Sequence, residues 1–117
     1  MAAAPDADLD FCYLTTTGRV SGKAHRIEIW FAMQGATVYL LSGGGDRSDW
    51  VRNLIATPEV TLEIGENTRT TRARVVAAGT DEDALARRLL VAKYTSRDPD
   101  DLGEWGRRSL PVAIDWS

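Results

Sequence analysis

The chain is short of the residues that build disulfides and metal sites. It contains one cysteine and one histidine among 117 residues. A single cysteine excludes an internal disulfide and suits a reducing compartment, so the sequence predicts a cytoplasmic protein. A lone His25 cannot form a histidine-based metal site, and no cluster of cysteine or carboxylate side chains has the spacing of metal ligands. Metal ions are therefore not expected.

Long apolar runs are also missing. None approaches the roughly 18–20 residues that a membrane-spanning helix needs, so no integral membrane association is predicted. The net charge of −3 argues against a nucleic-acid binder held by bulk charge. Residues 1–8 are small and acidic and lack the basic start of a signal peptide. We expect residues 1–10 to be a flexible N-terminus and residues 11–117 to form a single domain.

Short stretches with a β-strand pattern dominate the rest of the chain. Because short turns join the first three strands, they predict an antiparallel meander. Cys12 lies in the first of them, among apolar neighbours, where a buried and inert thiol is expected. The six predicted strands are Phe11 to Thr17, His25 to Met33, Thr37 to Leu41, Val60 to Ile64, Thr68 to Ala77 and Leu110 to Asp115.

Two helices interrupt these strands. A short helix is predicted to begin near Asp46 or Ser48 and to end at Thr57-Pro58. A longer one opens at Thr80, where the spacing to an acidic residue is typical of a capping box, and ends near Tyr94. A polar loop is predicted from Ser96 to Gly103. Because strands outnumber helices, the pattern predicts a mainly β protein with some α (α+β), a small antiparallel barrel of about six strands with covering helices.

The most informative segment runs from Leu14 to Lys23 and reads LTTTGRVSGK. Gly18 and Gly22 permit a tight turn and a close approach to a ligand. Successive N–H groups in such a turn, with hydroxyls and Arg19 beside them, form an anion-binding concavity. The segment therefore predicts a phosphate or carboxylate site, and a solvated hairpin turn is the alternative.

Four segments together resemble the deazaflavin-dependent nitroreductase family, whose enzymes use reduced coenzyme F420. The resemblance covers the chain from Tyr13 to Asp115 and implies a split β-barrel of the flavin-reductase kind, with the deazaflavin in a groove on the barrel. Barrels of this type often pair into homodimers. The segments are Thr15-Thr16-Thr17-Gly18-Arg19-x-Ser21-Gly22, Ser42-Gly43-Gly44-Gly45, Trp50-x-x-Asn53-Leu54-x-Ala56-x-Pro58-x-Val60 and Leu110-Pro111-Val112.

The chemistry of F420 agrees with these segments. Its phosphodiester and glutamate tail are anionic, and cations and hydroxyls after the first strand can bind them. Its flat ring suits an apolar or aromatic wall and a backbone edge, which the end of the third strand and the following glycines can offer. The residues expected to bind the cofactor are Arg19, Val20, Ser21, Gly22, His25, Arg26, Ile29, Trp30, Leu40, Leu41, Ser42, Gly43, Asp49, Trp50 and Asn53.

Three positions depart from the family pattern in ways that remove cations. Val20 stands where a basic residue often follows the motif arginine, and His25 stands where a further arginine is common. Gly43 replaces a lysine that follows the serine in some members. We interpret these departures as weaker or altered binding of the tail. A different cofactor, FMN, stays open as an alternative.

Two hydroxyls are candidates for catalysis. The resemblance places Tyr94 in the substrate pocket, where a phenol could donate a proton to a reduced acceptor; the alternative is a helix-end tyrosine in water. Ser42 has no visible base partner, so a hydrogen bond to a substrate oxygen is favoured over nucleophilic chemistry.

Trp30 could stack on a planar ligand or lie half-buried under a loop, and for Trp50 core packing is favoured. Asn53 could bond the ring edge or cap a strand.

The resemblance implies an oxidoreductase that transfers hydride from reduced F420 to a planar, electron-poor small molecule such as a quinone, an enone or a nitroaromatic. The protein would position donor and acceptor and exclude water, which fits the lack of a strong acid–base cluster. Three alternatives stay open at this point: an FMN-binding reductase on the same barrel, a non-catalytic binder of F420 or another ligand, and a module that binds a phosphorylated partner.

Overall fold

The computed structural model describes residues 6–97 and 101–116. They form seven strands and three α-helices, with a 3₁₀ turn at Gly45–Arg47 before the first helix. The elements are β1 (Cys12–Thr17), β2 (Ala24–Ile29), β3 (Ala32–Gln34), β4 (Thr37–Ser42), α1 (Asp49–Ala56), β5 (Glu59–Ile64), β6 (Asn67–Val75), α2 (Asp81–Thr95), α3 (Gly103–Arg108) and β7 (Leu110–Asp115).

The strands form one antiparallel sheet in the order β2-β1-β5-β6-β7-β4-β3. The long strand β6 joins its two halves, because residues 67–72 pair with β5 while residues 73–75 pair with β7. A strand that changes partners along its length makes the sheet curl. The result is the predicted α+β split barrel.

The prediction of a continuous second strand was wrong. Residues 24–29 pair with β1 at one end of the sheet, and residues 32–34 pair with β4 at the other end. The chain leaves β2 at Trp30, and the phenol oxygen of Tyr94 accepts a hydrogen bond from the Phe31 N–H at 2.9 Å. In a continuous strand this N–H would be available to donate to a carbonyl of the neighbouring strand instead. The predicted three-strand meander is therefore split between the two ends of the sheet.

The other strands and both predicted helices are confirmed within a few residues. Helix α1 follows Ser48, and helix α2 follows Thr80, whose hydroxyl accepts a hydrogen bond from Asp83 N at 3.2 Å. This is the capping contact that the sequence predicts. Helix α3 was not predicted. Within the predicted loop Ser96 to Gly103, residues 98–100 lie outside the described part of the chain.

The apolar residues form two clusters on either side of the sheet's curl. The larger lies inside, with Leu14, Leu40 and Leu62 fully buried and α1 contributing Val51 and Leu54. The smaller lies beneath α2. Burying each such side chain stabilises the fold by about 1.5–3 kcal/mol. Cys12 belongs to the larger cluster and is buried, and burial raises the pKa of its thiol to about 12, as an inert thiol requires.

The segment before β1 is held against α2. The predicted flexible terminus comprises residues 1–10, of which residues 1–5 lie outside the described range. Leu9 packs partly buried against the larger cluster. The Lys93 ammonium donates to the Leu9 carbonyl at 2.7 Å, and the Tyr94 hydroxyl donates to the Asp10 carbonyl at 2.7 Å. In the described residues, no helix is long and apolar enough to cross a membrane.

Candidate functional site

A groove of about 500 Å³ lies between the β1–β2 turn and helix α1. Strand β1 supplies its floor at the end of the threonine run, β2 supplies one wall and α1 the other. Two adjacent strands and a helix thus meet at the turn that the sequence singles out. The lining residues are Thr16, Gly18, Arg19, Val20, Ser21, His25, Ile27, Asp49, Trp50 and Asn53.

The β1–β2 turn closes on its own backbone. Gly18 N donates to the Lys23 carbonyl and Gly22 N donates to the Gly18 carbonyl, both at 2.8 Å. Gly22 has φ +72°, a left-handed conformation in which a side chain is strained. The Ser21 hydroxyl accepts from Lys23 N at 3.2 Å. The turn is therefore a folded unit with a fixed shape.

Arg19 is anchored to helix α1 through three of its nitrogen atoms. Its backbone N–H and its Nη1 both donate to Asn53 Oδ1, at 3.2 Å and 2.9 Å. Its Nη2 donates to Asp49 Oδ1 at 3.2 Å, in an ion pair. The Asn53 amide in turn donates to the Thr16 hydroxyl at 3.2 Å. These bonds hold the guanidinium at the groove and connect the turn to the helix.

His25 lies against Gly18 at the groove wall. A Cβ at position 18 would come within 2.6 Å of His25 Nε2 and 2.8 Å of Ser21 Oγ, closer than real Cβ atoms approach. A side chain at position 18 would therefore displace one or both of them. The motif glycine thus makes room for a histidine and a hydroxyl that line the groove.

The groove also has apolar walls. Ile27 of β2 and Trp50 of α1 line it, and both pack partly buried against the larger core cluster. Trp50 therefore serves core packing, as favoured, and also faces the groove. Val20 stands at the tip of the turn with 92% of its surface exposed. The groove combines the Arg19 cation, the Asp49 carboxylate and the His25 imidazole with aliphatic and aromatic surface.

Seven of the fifteen residues predicted to bind the cofactor line this groove. They come from the turn, from β2 and from α1. Among the described residues, the other eight do not line it. The seven are Arg19, Val20, Ser21, His25, Asp49, Trp50 and Asn53; the eight are Gly22, Arg26, Ile29, Trp30, Leu40, Leu41, Ser42 and Gly43.

The residues outside the groove have other contacts. Arg26 points away, pairs with Glu63 at 2.9 Å and lies 4.0 Å from the centre of the Tyr13 ring. Leu40 and Leu41 are buried in the larger and the smaller cluster. Gly22 shapes the turn without lining the groove. Ile29 packs partly buried against the larger cluster, and Gly43 lies next to the Trp105 ring.

Trp30 lies in an aromatic group at the break between β2 and β3. Its ring stacks on Tyr94 with centroids 4.1 Å apart and an angle of 3° between planes, and it meets Trp105 edge-on at 5.4 Å. It also lines a cleft of about 130 Å³ with Phe11 and Arg97. The tryptophan is half-buried and already stacked on a side chain of the protein.

The two hydroxyls predicted for catalysis have partners within the protein. The Tyr94 side chain is 1% exposed and its hydroxyl contacts backbone atoms of Asp10 and Phe31. Burial raises the pKa of this phenol to about 12. The Ser42 hydroxyl bonds the Gly45 carbonyl and the Ser48 hydroxyl, both at 2.8 Å. Among the described residues, neither lines the groove, and their contact with a substrate stays a prediction.

Sequence reasoning left three lining residues out of the site. Gly18 was expected to permit a tight turn and a close approach to a ligand, but it was not named among the cofactor-binding residues. Thr16 shares the buried face of β1 with Cys12 and Leu14, and a buried hydroxyl at the end of an apolar face was a signal that could have found it. Ile27 lies in the predicted second strand, and its alternation with polar neighbours gave no sign of a ligand. Within residues 6–97 and 101–116, no group of His, Cys, Asp or Glu is placed to hold a metal ion.

The curled antiparallel sheet defines a split-barrel protein, with a groove beside its first turn. A sequence model of the family described as F420H(2)-dependent quinone reductase matches residues 5–116. The chain therefore belongs to this family, and the resemblance drawn from the motifs is confirmed. No curated protein matches the chain in sequence.

Solved structures share the fold. A structure of an F420-H2 dependent reductase is 24% identical with a TM-score of 0.70, covering 91% of this chain and 93% of its own. One described as a domain-swapped dimer is 19% identical with a TM-score of 0.73, covering 91% and 80%. An FAD-binding protein from Mesorhizobium loti is 13% identical with a TM-score of 0.68, covering 95% and 82%. At these identities the likeness concerns the fold.

Proposed function

We propose that this protein is an F420H2-dependent oxidoreductase that binds the deazaflavin in the groove between the β1–β2 turn and α1. Its acceptor is a planar, electron-poor small molecule, with quinones as the first class to test. The observation that carries the proposal is Arg19, held at a groove by helix α1 within a chain that belongs to the F420H2-dependent quinone reductase family.

The groove residues fit the cofactor's anionic part. The phosphodiester and glutamate tail of F420 need cations and hydrogen-bond donors. Arg19 and Ser21 line the groove, with Lys23 on the same turn. His25 adds an imidazole at the wall. The net charge of the chain is −3, so attraction for an anion is local to this turn.

The apolar walls fit the flat ring. Ile27 and Trp50 offer aliphatic and aromatic surface in the same groove as Arg19. When bound, reduced F420 supplies a hydride from C5, and a proton completes the two-electron reduction of the acceptor. The residues of the groove bind and orient the cofactor, and its apolar walls exclude water from one side of the ring.

We assign the proton to solvent. The Tyr94 hydroxyl is enclosed by the backbone of residues 10 and 31, and the pKa of the phenol is raised to about 12 by burial. The Ser42 hydroxyl is engaged with Gly45 and Ser48. Both groups then stabilise the loops around the barrel. This assignment departs from the role that the family resemblance implies for Tyr94.

The missing cations point to an altered preference for the tail. Val20 and His25 both line the groove at positions where the family pattern is often basic. An exposed valine offers no charge to a tail carboxylate, which favours short tails over long ones. We further propose a homodimer, since a structure with the same fold is a domain-swapped dimer. We propose a cytoplasmic location because a single cysteine suits a reducing compartment.

A flavin is the second candidate cofactor. The FAD-binding protein from Mesorhizobium loti shares the fold at a TM-score of 0.68. A flavin phosphate would meet the same turn as the F420 phosphodiester. Because both cofactors would use the same turn, an experiment on this chain has to decide between F420 and a flavin.

The test is turnover of reduced F420 by the purified protein with menadione as acceptor. We expect saturable oxidation of F420H2 that depends on both protein and quinone. Reduced FMN and NADPH, each supplied in place of F420H2, are the controls. If reduced FMN supports turnover and F420H2 does not, the cofactor is FMN and the proposal of F420 is wrong. If no quinone, enone or nitroaromatic is reduced, the proposed activity is contradicted.

A further inference from the structure

We propose that Asn53 is a positioning residue for cofactor binding, which acts on the anionic tail through Arg19 and does not contact the cofactor. The inference rests on the proposed function. It changes the role that the motif suggests for Asn53, which was a direct hydrogen bond to the ring edge. The contacts around its amide group carry the argument.

The Asn53 amide is already engaged inside the protein. The side chain is 4% exposed. Its Oδ1 accepts from both Arg19 N and Arg19 Nη1, which fills the two acceptor positions of an amide oxygen. Its Nδ2 donates to Thr16 Oγ1 at the end of β1. The acceptor of this buried amide is filled, and one of its two N–H groups is already bonded to Thr16.

These bonds fix what is otherwise a mobile cation. An arginine side chain carries about 2 kcal/mol of rotamer entropy, and its turn is exposed enough to leave Val20 at 92% accessibility. Asn53 holds Arg19 by backbone and guanidinium together, so turn and cation are set by one side chain. Most of the conformational entropy of Arg19 and its turn is therefore lost on folding, and binding of an anion has less of it to lose.

Asp49 has a different part in the same contact. It reaches the other terminal nitrogen, Nη2, at 3.2 Å, and its side chain is 84% exposed. An exposed ion pair of this kind is weak and screened by salt. A tail carboxylate or phosphate competes with Asp49 for Nη2, whereas the neutral Asn53 amide keeps Nη1 in place. The guanidinium can therefore exchange its counter-ion without losing its orientation.

The test is a double-mutant cycle on cofactor affinity, read by titrating oxidised F420 and following its fluorescence. The proteins are the unchanged chain, Asn53→Ala, Arg19→Ala and the double variant. We expect Asn53→Ala to raise the Kd about tenfold when Arg19 is present and less than about twofold when it is absent. Equal weakening in both backgrounds would show direct contact with the cofactor and overturn the inference.

A second variant guards against misfolding. Thr16→Val removes the hydroxyl that holds the Asn53 amide and leaves Asn53 itself in place. In the same cycle it should raise the Kd about threefold with Arg19 and have no effect without it. Asn67→Ala and Thr70→Val, on β6, are matched controls expected to leave the Kd unchanged.

Thermal unfolding of every variant separates affinity from stability. A purely structural Asn53 would lower the melting temperature and leave the Kd of the folded protein unchanged, which overturns the inference and leaves the proposed function standing. If Arg19→Ala loses affinity while Asn53→Ala and Thr16→Val do not, the inference is again overturned and the proposed function still stands. No F420 binding by the unchanged chain would overturn both.

Discussion

At the scale of single residues, side chains with several partners decide what the groove and its surroundings can do. Asn53 connects β1, the turn and α1 through one amide. Tyr94 does the same through one hydroxyl, which connects α2 with the segment before β1 and with the bend after β2. Both were predicted to face a ligand, and both have their polar atoms inside the protein.

We predict that Tyr94→Phe lowers the free energy of unfolding by about 1–3 kcal/mol, because it leaves the buried Phe31 N–H without its acceptor. The kcat for F420H2 oxidation should stay within about twofold, since solvent supplies the proton in our account. Denaturant unfolding and steady-state kinetics measure the two effects.

The matched control is Tyr13→Phe, whose lost hydroxyl makes an exposed bond to Glu28 at 2.7 Å. It should change stability by less than about 0.5 kcal/mol. A large fall in kcat for Tyr94→Phe with unchanged stability would return the phenol to the role of proton donor.

The sequence predicts the residues of the turn well and the partners of distant side chains poorly. Arg19 and Ser21 follow from a local motif, because glycine spacing and hydroxyl placement act over a few residues. The groove position of Thr16 and the link from Asn53 to Arg19 depend on how α1 packs against β1, 34 to 37 residues apart in the chain. No local pattern carries that information.

At the scale of elements, hydrogen bonds to Glu82 join α2 to the sheet, and we call this set of contacts the Glu82 clamp. Arg74 of β6 donates two hydrogen bonds to Glu82 at 2.6 and 2.7 Å, and the Tyr39 hydroxyl of β4 donates a third at 2.8 Å. A bidentate contact of this kind is the strong form of an ion pair. The bonds from Arg74, helped by the Tyr39 hydroxyl and opposed by burial, lower the pKa of Glu82 to about 2.

This clamp predicts a loss of stability in acid. The pKa of Glu82 is depressed in the folded state, so its contribution is complete above its ordinary value of 4.5 and is lost as the pH falls toward about 2. Glu82→Gln should lower the free energy of unfolding at pH 7. The difference in this free energy between the variant and the unchanged chain should become smaller as the pH falls from 4.5 toward about 2.

Denaturant unfolding between pH 7 and pH 2.5 measures that difference. Glu66→Gln, in the exposed turn between β5 and β6, is the matched control and should leave the pH profile of stability unchanged. A difference between Glu82→Gln and the unchanged chain that stays constant across the window would contradict the role of the clamp.

The elements were predictable where local chemistry sets them. The cap at Thr80 follows from its spacing to Asp83. The bend at Trp30 is invisible to an alternation pattern, because alternation shows which face a residue takes and not which strand it pairs with. Helix α3 was missed since it is only six residues long and contains two glycines, one of which packs against Val91.

At the scale of the whole molecule, the fold was predictable because several motifs occur in one order. The curled sheet, the groove beside the first turn and the family match over residues 5–116 agree with one another. In an acidic chain of net charge −3, the groove holds the Arg19 cation, paired there with the exposed Asp49 carboxylate.

The central claim is that this groove binds F420 through Arg19. The most direct measurement is a fluorescence titration of oxidised F420 into the unchanged chain and into Arg19→Ala, with FMN in parallel and Arg88→Ala, on the exposed face of α2, as control. We predict saturable binding that Arg19→Ala weakens about tenfold or more and Arg88→Ala leaves unchanged. Equal affinity in Arg19→Ala, or binding of FMN and not F420, would contradict the account.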